Sequence, residues 1–379
     1  MLNRLQTYDV AIIGGGLAGL SLSIQLAKEG YKIILFEKEK YPFHRVCGEY
    51  ISMESWAFIN NLGLNLYELN LPQITDLVVS SPSGKTISHS LDMGGFGISR
   101  YKLDYELYKI AVRAGVQVHE NAKVDDVKFG NEMFTLSIKN KPLSAKVVVA
   151  AFGKRSNLDV KWNRKFILKK PGKLNNYVGV KYHIQTDHPA NTIALHNFKD
   201  GYCGISKIEE NKYCLCYLTT AKNLKNYHTI PEMEEHLLQK NPYLERIFRN
   251  ATFLYPSPVI ISQISFENKT PVENHILMIG DSAGMITPLC GNGMSMAFHS
   301  GKIAYKQICS FLQKEMTRGE MEDMYRLEWK KQFAGRLRTG RLIQRLFGKE
   351  SITNIFIGLL KPFPFIINRL IKSTHGKSF

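Results

Sequence analysis

Val10-Ala11-Ile12-Ile13-Gly14-Gly15-Gly16-Leu17-Ala18-Gly19 decides the fold. An apolar run ends in G-x-G-x-x-G, a helical pattern follows, and a second apolar run, Lys32-Ile33-Ile34-Leu35-Phe36, stops at Glu37. Strand, turn, helix, strand and acid in that order make a βαβ unit that binds a dinucleotide. Glycine at 14 makes the tight turn, glycine at 16 lets the backbone reach a pyrophosphate at the helix N-terminus, and glycine at 19 packs helix against sheet. Glu37, with Lys38 beside it, is placed to accept hydrogen bonds from a ribose. This unit alone does not choose between NAD and FAD.

The choice comes from Ile276-Leu277-Met278-Ile279-Gly280-Asp281, where a buried strand ends at an acid. The loop Ser282 to Gly293 follows, rich in Gly and Pro. This arrangement resembles the ribityl-binding motif of FAD-dependent oxidoreductases of the aromatic hydroxylase and geranylgeranyl reductase superfamily. The resemblance implies FAD as cofactor, with Gly280 at the turn and Asp281 bonding a ribityl hydroxyl. Pro288, Gly291 and Gly293, with Asn292 between the glycines, match the family's P-x-x-G-x-G. A helix beginning near Met294 then points its positive end at the pyrimidine edge of the flavin, where reduction places negative charge.

Two further segments are similar to that superfamily. Gly97-Ile98-Ser99-Arg100-Tyr101-Lys102-Leu103-Asp104 leads into a helical pattern, and the resemblance puts Arg100 at the flavin or its phosphates. Phe43-His44-Arg45-Val46-Cys47-Gly48-Glu49-Tyr50 looks like the Cys-Gly segment that lies over the isoalloxazine ring in geranylgeranyl reductases, which adds Arg45 to the cofactor-binding set. Cys47 and Glu49 are the catalytic candidates. Cys47 has a lowered thiol pKa if His44 and Arg45 point at it, or packs as a small apolar residue. Glu49 stands where the family usually has glycine, and a carboxylate there changes substrate choice or acts as acid or base.

The chain also departs from the pattern. Hydroxylases of the superfamily carry Asp-Gly after a mid-chain strand, in a segment tied to the pyrophosphate and to NAD(P)H. Here Val147-Val148-Val149-Ala150-Ala151 runs into Phe152-Gly153-Lys154-Arg155-Ser156. Gly153 fits and Phe152 replaces the acid, while Lys154 and Arg155 are either phosphate-binding cations or solvated charges. Gly201-Tyr202-Cys203-Gly204-Ile205-Ser206 corresponds to the strand that lines the substrate cavity in the superfamily, so Tyr202 and Cys203 are substrate candidates. The W-x-W-x-I-P motif of halogenases is absent, which argues against halogenation.

The motifs lie far apart, so the expected fold class is α/β. A discontinuous Rossmann-type FAD-binding domain takes 1–55, 96–160 and 268–318. An inserted, mainly antiparallel β-sheet substrate domain takes 56–95 and 161–267. Within it, Tyr177 to Ile184 alternates as a half-buried strand, Lys199-Asp200-Gly201 and Glu209 to Lys212 are hairpin turns, and 223–250 reads as one or two helices, with Pro231 marking a start. With 379 residues and 44% hydrophobic content, there is core enough for two domains. Six cysteines show no zinc spacing and no C-x-x-C pair, so reduced thiols and no metal are expected; Cys214 and Cys216, two apart in a strand, share a face and pack in the core. No N-terminal signal is expected, because the first cofactor strand begins by Tyr8, and no apolar run spans a bilayer. A cytoplasmic protein follows.

Lys and Arg exceed Asp and Glu by 17, and residues 319–379 read as a basic amphipathic helical region. Arg336, Arg338, Arg341 and Arg345 alternate with Leu337, Leu342, Ile343 and Leu346. This region either lies peripherally on the anionic inner membrane surface or packs its apolar face on the catalytic body. No recognition motif for nucleic acid accompanies the charge. The first functional expectation is an NAD(P)H-dependent FAD monooxygenase that hydroxylates an aromatic or polyketide-like lipid. The alternative is a geranylgeranyl-reductase-like enzyme saturating isoprenoid double bonds, with NADPH or an electron-donor protein as reductant. A flavin-bearing scaffold without turnover is the remaining class.

Overall fold

A computed structural model describes residues 6–170, 174–346, 350–360 and 362–379. The chain opens with β1 (Thr7–Ile13), α1 (Leu17–Lys28) and β2 (Ile33–Phe36), then crosses to a second sheet through β3 (Tyr50–Ser52), α2 (Trp56–Asn61) and the ribbon β4 (Gln73–Ser80) and β5 (Thr86–Gly97). It returns through α3 (Arg100–Arg113), β6 (Gln117–His119), β7 (Asp126–Gly130), β8 (Met133–Ile138) and β9 (Lys141–Ala150). After α4 (Asn157–Lys161) the second sheet gains β10 (Asn175–Gln185), β11 (Thr192–Phe198), β12 (Gly201–Lys207) and β13 (Tyr213–Thr220). Helices α5 (Ala221–Tyr227), α6 (Ile230–His236) and α7 (Pro242–Asn250) follow, then β14 (Thr252–Phe253) and β15 (Val259–Ser265). β16 (Val272–Glu273) and β17 (Ile276–Met278) rejoin the first sheet, and α8 (Gly293–Leu312), α9 (Arg318–Leu346), α10 (Glu350–Leu360) and α11 (Pro364–Thr374) complete the chain.

The first sheet runs β16-β17-β9-β1-β2-β6, with β1 parallel to both β2 and β9. Its central strands are continuous apolar runs because helices cover both faces; every residue of β1 from Val10 to Ile13 is buried. The second sheet runs β14-β10-β13-β12-β11-β4-β5-β3, antiparallel except where β11 meets β4. The two hairpin turns read from the sequence join β11 to β12 and β12 to β13.

Three local readings are corrected. Segment 223–250 contains α6, α7 and the end of α5, because Thr229 and Asn241 each cap a new helix with proline in its first turn. β10 does not alternate: Tyr177 to Tyr182 and Ile184 face α5–α7 or a loop from the first domain, and both faces are covered. In α9 the arginines do not form one solvated stripe. Arg336 is buried near Glu54, at 3.8 Å, whereas Leu342 is exposed; the side chains of Arg345 and Leu346 lie outside the described residues.

Candidate flavin site and a buried ionic cluster

The fingerprint turn is built as its glycines require. Gly14 sits at φ +111°, and a Cβ on it would lie 2.4 Å from the Ala151 carbonyl oxygen. A Cβ on Gly19 would strike the Gly14 carbonyl oxygen at 2.0 Å, so α1 lies directly on β1. Gly16, the N-cap of α1, provides no side-chain cap, and its Cβ position opens toward the Arg100 guanidinium. The first amides of α1 therefore remain for a ligand, the arrangement that receives a phosphate.

Glu37 ends β2 against this turn. Its Oε2 accepts from Gly15 N at 2.9 Å and from Arg45 Nη2 at 3.0 Å. Arg45 also donates to Asp104 at 3.1 Å, and Asp104 takes two bonds from Arg100, at 2.7 and 2.8 Å. Burial opposes the Arg100 charge, but Asp104 overrides it and raises the pKa. Glu37, Arg45, Asp104 and Arg100 thus form one chain of ion pairs along the fingerprint. Lys38 is exposed and paired with Glu39 at 3.6 Å.

At the other end of the site, Asp281 follows β17. Burial raises its pKa against the attraction of Lys269, Arg100 and Lys154. Lys269 Nζ donates to the backbone carbonyls of Lys154 and Asp281, both at 2.7 Å, and burial lowers the Lys154 and Lys269 ammonium groups to about 8. Phe152 packs near Trp162, with ring centroids 6.3 Å apart. The turn Pro288–Cys290 ends at Gly291, φ +64°, whose Cβ position lies 3.3 Å from the Tyr50 ring. α8 starts at Gly293 with Asn292 as N-cap and no side-chain cap. Asn292 Nδ2 donates instead to Thr374 O at 2.8 Å, and its Oδ1 is a buried atom without a partner.

Two uncapped helix N-termini, an acid after each flanking strand and a cradle a Cβ would fill are the features an FAD needs, and these residues fit it. Gly14, Gly16 and Glu37 would hold the adenosine diphosphate half, and Asp281 the ribityl chain. Gly153, Pro288, Gly291 and Met294 lie on the same loops and helix starts.

The loop 43–50 connects this cradle to the second sheet. Register places Tyr202, Gly204 and Ser206 of β12 across from Leu218, Cys216 and Cys214 of β13, and Cys216 and Cys214 across from Lys181 and His183 of β10. Strand alternation puts all of these on one face. The loop lies on that face: Ser206 Oγ donates to Gly48 O at 3.2 Å, and Cys214 Sγ to Cys47 O at 3.2 Å. Cys203 belongs to the opposite face, within the core under α5–α7 and away from the loop. Tyr202 is on the site face, packed with Leu218 and Leu289.

At the loop's end Glu49 adopts φ 56° and is fully buried. Its Oε1 accepts from Lys181 Nζ at 2.7 Å and from Arg100 N at 2.9 Å, and its Oε2 lies 2.6 Å from His183 Nε2. Burial alone would raise this carboxyl, but Lys181 and His183 hold it at about 2. Burial opposes the Lys181 charge as well, and Glu49 raises its pKa above the ordinary value. His44 stacks on Tyr101 at 4.6 Å and presents its edge to His183 at 5.3 Å; burial and the nearby Lys181 and His183 lower it to about 4. Tyr255, partly exposed, contacts both rings at 5.0 and 5.8 Å. The rings of His183, His44 and Tyr255 thus form a run of contacts from buried Glu49 to the surface.

Cys47 is corrected. Neither neighbouring cation activates it, because Arg45 is held by Glu37 and Asp104 and His44 by Tyr101. Burial raises its thiol pKa, which Arg100 only partly offsets. Cys214 and Cys216 share one face as expected, Cys214 buried and Cys216 half-buried, under the loop that carries Cys47. Lys181 and His183 were missed at the sequence level. Their signal is strand spacing, two apart like Cys214 and Cys216, with which they pair.

The model of the pyridine nucleotide-disulphide oxidoreductase family matches residues 8–161. Conditioned medium factor receptor 1 of Dictyostelium discoideum is 25% identical over 78% of this chain, and the match spans 62% of that protein, less than two thirds of its length. A digeranylgeranylglycerophospholipid reductase of Methanococcus vannielii is 23% identical over 86% of this chain and 83% of its own length. Among solved structures, a geranylgeranyl bacteriochlorophyll reductase-like protein of Thermoplasma acidophilum superposes with TM-score 0.78 at 17% identity, covering 99% of this chain and 97% of that one. Flavin-dependent halogenases share the fold. The chain thus has the fold of FAD-dependent oxidoreductases and is similar in sequence to geranylgeranyl-lipid reductases. Among the described residues of this flavoprotein, no helix is long and apolar enough to cross a membrane.

Proposed function

We propose that this flavoprotein is a reductase that saturates double bonds of an isoprenoid lipid. The observation that carries the reading is the water-excluded Glu49–Lys181–His183 cluster on the face that also carries Cys214, Cys216 and Tyr202. Saturating an alkene adds a hydride equivalent to one carbon and a proton to the other. Bound FAD supplies the two electrons. The chain must hold the proton in an apolar pocket and replace it afterwards. In this reading His183, fixed by Glu49 and packed against the rings of His44 and Tyr255, does both. The relatives that reduce geranylgeranyl lipids support the same substrate class. Phe152, standing where NAD(P)H-using hydroxylases carry an acid, favours a protein electron donor.

The second reading is the NAD(P)H-dependent monooxygenase acting on an aromatic or polyketide-like lipid. It is favoured by Arg155, exposed on the loop after β9 beside Lys154, a cation suited to a nicotinamide dinucleotide phosphate. The test is product mass. Under anaerobic reduction by dithionite, a geranylgeranyl lipid gains two hydrogens per double bond if the chain is a reductase. Oxygen uptake driven by NADPH, with one oxygen atom in the product and no anaerobic saturation, overturns the reductase reading.

A further inference from the structure

α10 and α11 form a helical hairpin fixed to the body by its inner side. Ile357 and Ile367 are buried against Val79 and Ile87 of the β4–β5 ribbon. Polar contacts secure the flanks: Ser83 Oγ donates to Asn354 at 2.8 Å, Asn368 to Asp92 at 3.2 Å, and Lys372 pairs with Asp92 at 2.9 Å. An amphipathic helix docked in this way should turn polar residues to water. This hairpin exposes large apolar residues as well. Ile355, Leu359, Phe363 and Phe365 are 62, 63, 46 and 69% exposed, four large apolar side chains around one bend.

The sequence of this region carries charge of nearly one sign. From Lys330 to Phe379 the chain carries eleven Lys or Arg and a single acid, Glu350, and Arg369 and Lys377 are exposed. A second copy of the chain would bring the same positive surface against this one, with a net charge of +17 on each. An acidic surface with an apolar interior beneath it satisfies both features. We propose that the α10–α11 hairpin docks this flavoprotein on an anionic lipid bilayer. Phe363, Phe365, Leu359 and Ile355 enter the boundary between headgroups and acyl chains, and Arg369 and Lys377 meet lipid phosphates. The contact is interfacial. α11 then runs about 16 Å back to Thr374, whose carbonyl holds Asn292 of the flavin loop, so the docking face and the flavin loop are joined by one helix.

The experiment is co-sedimentation of the FAD-loaded full chain with vesicles of phosphatidylcholine alone or with about one phosphatidylglycerol in three lipids. Binding is expected only with the anionic vesicles, and it should weaken as salt is raised. The variant Leu359→Ser/Phe363→Ser/Phe365→Ser alters only exposed side chains and should lose at least ~10-fold in affinity while keeping the bound-flavin spectrum. Arg369→Glu/Lys377→Glu, which leaves the apolar face intact, should lose a similar factor. The proposal is overturned if the wild-type chain stays in the supernatant with anionic vesicles, or if both variants bind as it does. It is equally overturned if the apolar variant abolishes only self-association of the chain.

Discussion

Glu49 occupies a left-handed backbone position that glycine takes without strain, at a cost of about 1 kcal/mol or more to a residue with a Cβ. Its carboxylate is what Lys181 and His183 are buried around. Glu49→Gln keeps the shape and removes the charge, so the single variant is expected to lose about 3–5 kcal/mol in urea unfolding. The double variant Glu49→Gln/Lys181→Met should recover much of this loss, because no unpaired ion remains. If the cluster supplies the proton, the recovered double variant still turns over at least ~10²-fold more slowly; turnover matching wild type would leave the cluster a purely structural role. The sign of the pH dependence follows from Glu49. Its folded pKa, about 2, lies below the ordinary 4.5, so its contribution is complete above about pH 5 and is lost as pH falls toward 2, readable as a drop in melting temperature over that window. Cys47 behaves oppositely. Its raised pKa predicts slow alkylation by iodoacetamide at neutral pH that accelerates through alkaline pH, and rapid labelling at pH 7 would contradict that shift. At this scale the sequence showed Glu49, because it departs from a glycine pattern, but not its partners, which are 132 and 134 residues away.

Local elements were legible where one pattern had one environment. The βαβ fingerprint, β9, β17 and the start of α8 could be read directly, because buried parallel strands are continuous apolar runs and their turns need glycine. Gly14→Ala is therefore expected to abolish FAD retention: the added methyl meets the Ala151 carbonyl oxygen at 2.4 Å, backbone against backbone, and the purified variant should be colourless. β10 was less legible, since its polar Lys181 and His183 suggested a wet face that the loop 43–50 in fact covers. In the C-terminal region, periodicity gave helices but not their neighbours. Leu342 and Arg336 exchange the environments that amphipathic reasoning assigns them, because Arg336 faces buried Glu54. The hairpin α10–α11 is held mainly by Ile357 and Ile367, so Ile367→Ala should cost about 2–4 kcal/mol, expressed as faster amide exchange in α10 and α11 while β1 and β9 stay protected.

For the molecule as a whole, the two sheets meet along the loop 43–50 and at the start of α3, where Ser99 N donates to Glu209 at 2.7 Å, with the flavin cradle on one side and a site face of thiols, Lys181 and His183 on the other. This meeting could not be read from the sequence, since it is set by packing between segments more than a hundred residues apart. Net charge could be read, and it bears on the source of electrons. At +17 the surface would attract an acidic electron-donor protein over several ångströms of solvent, an attraction that depends on the many charges of both partners. NADPH carries only a few negative charges, so its encounter is far less sensitive to screening. Salt separates the two donors: as the Debye length shortens from about 10 Å at 0.1 M to about 3 Å at 1 M, flavin reduction by an acidic iron–sulfur protein should slow at least ~10-fold and reduction by NADPH only a few-fold. Stopped-flow bleaching of the flavin band at increasing salt gives both slopes. A steep slope with the protein donor, together with slow reduction by NADPH at any salt, identifies the protein as the physiological reductant and agrees with Phe152 at the position where the hydroxylases keep an acid.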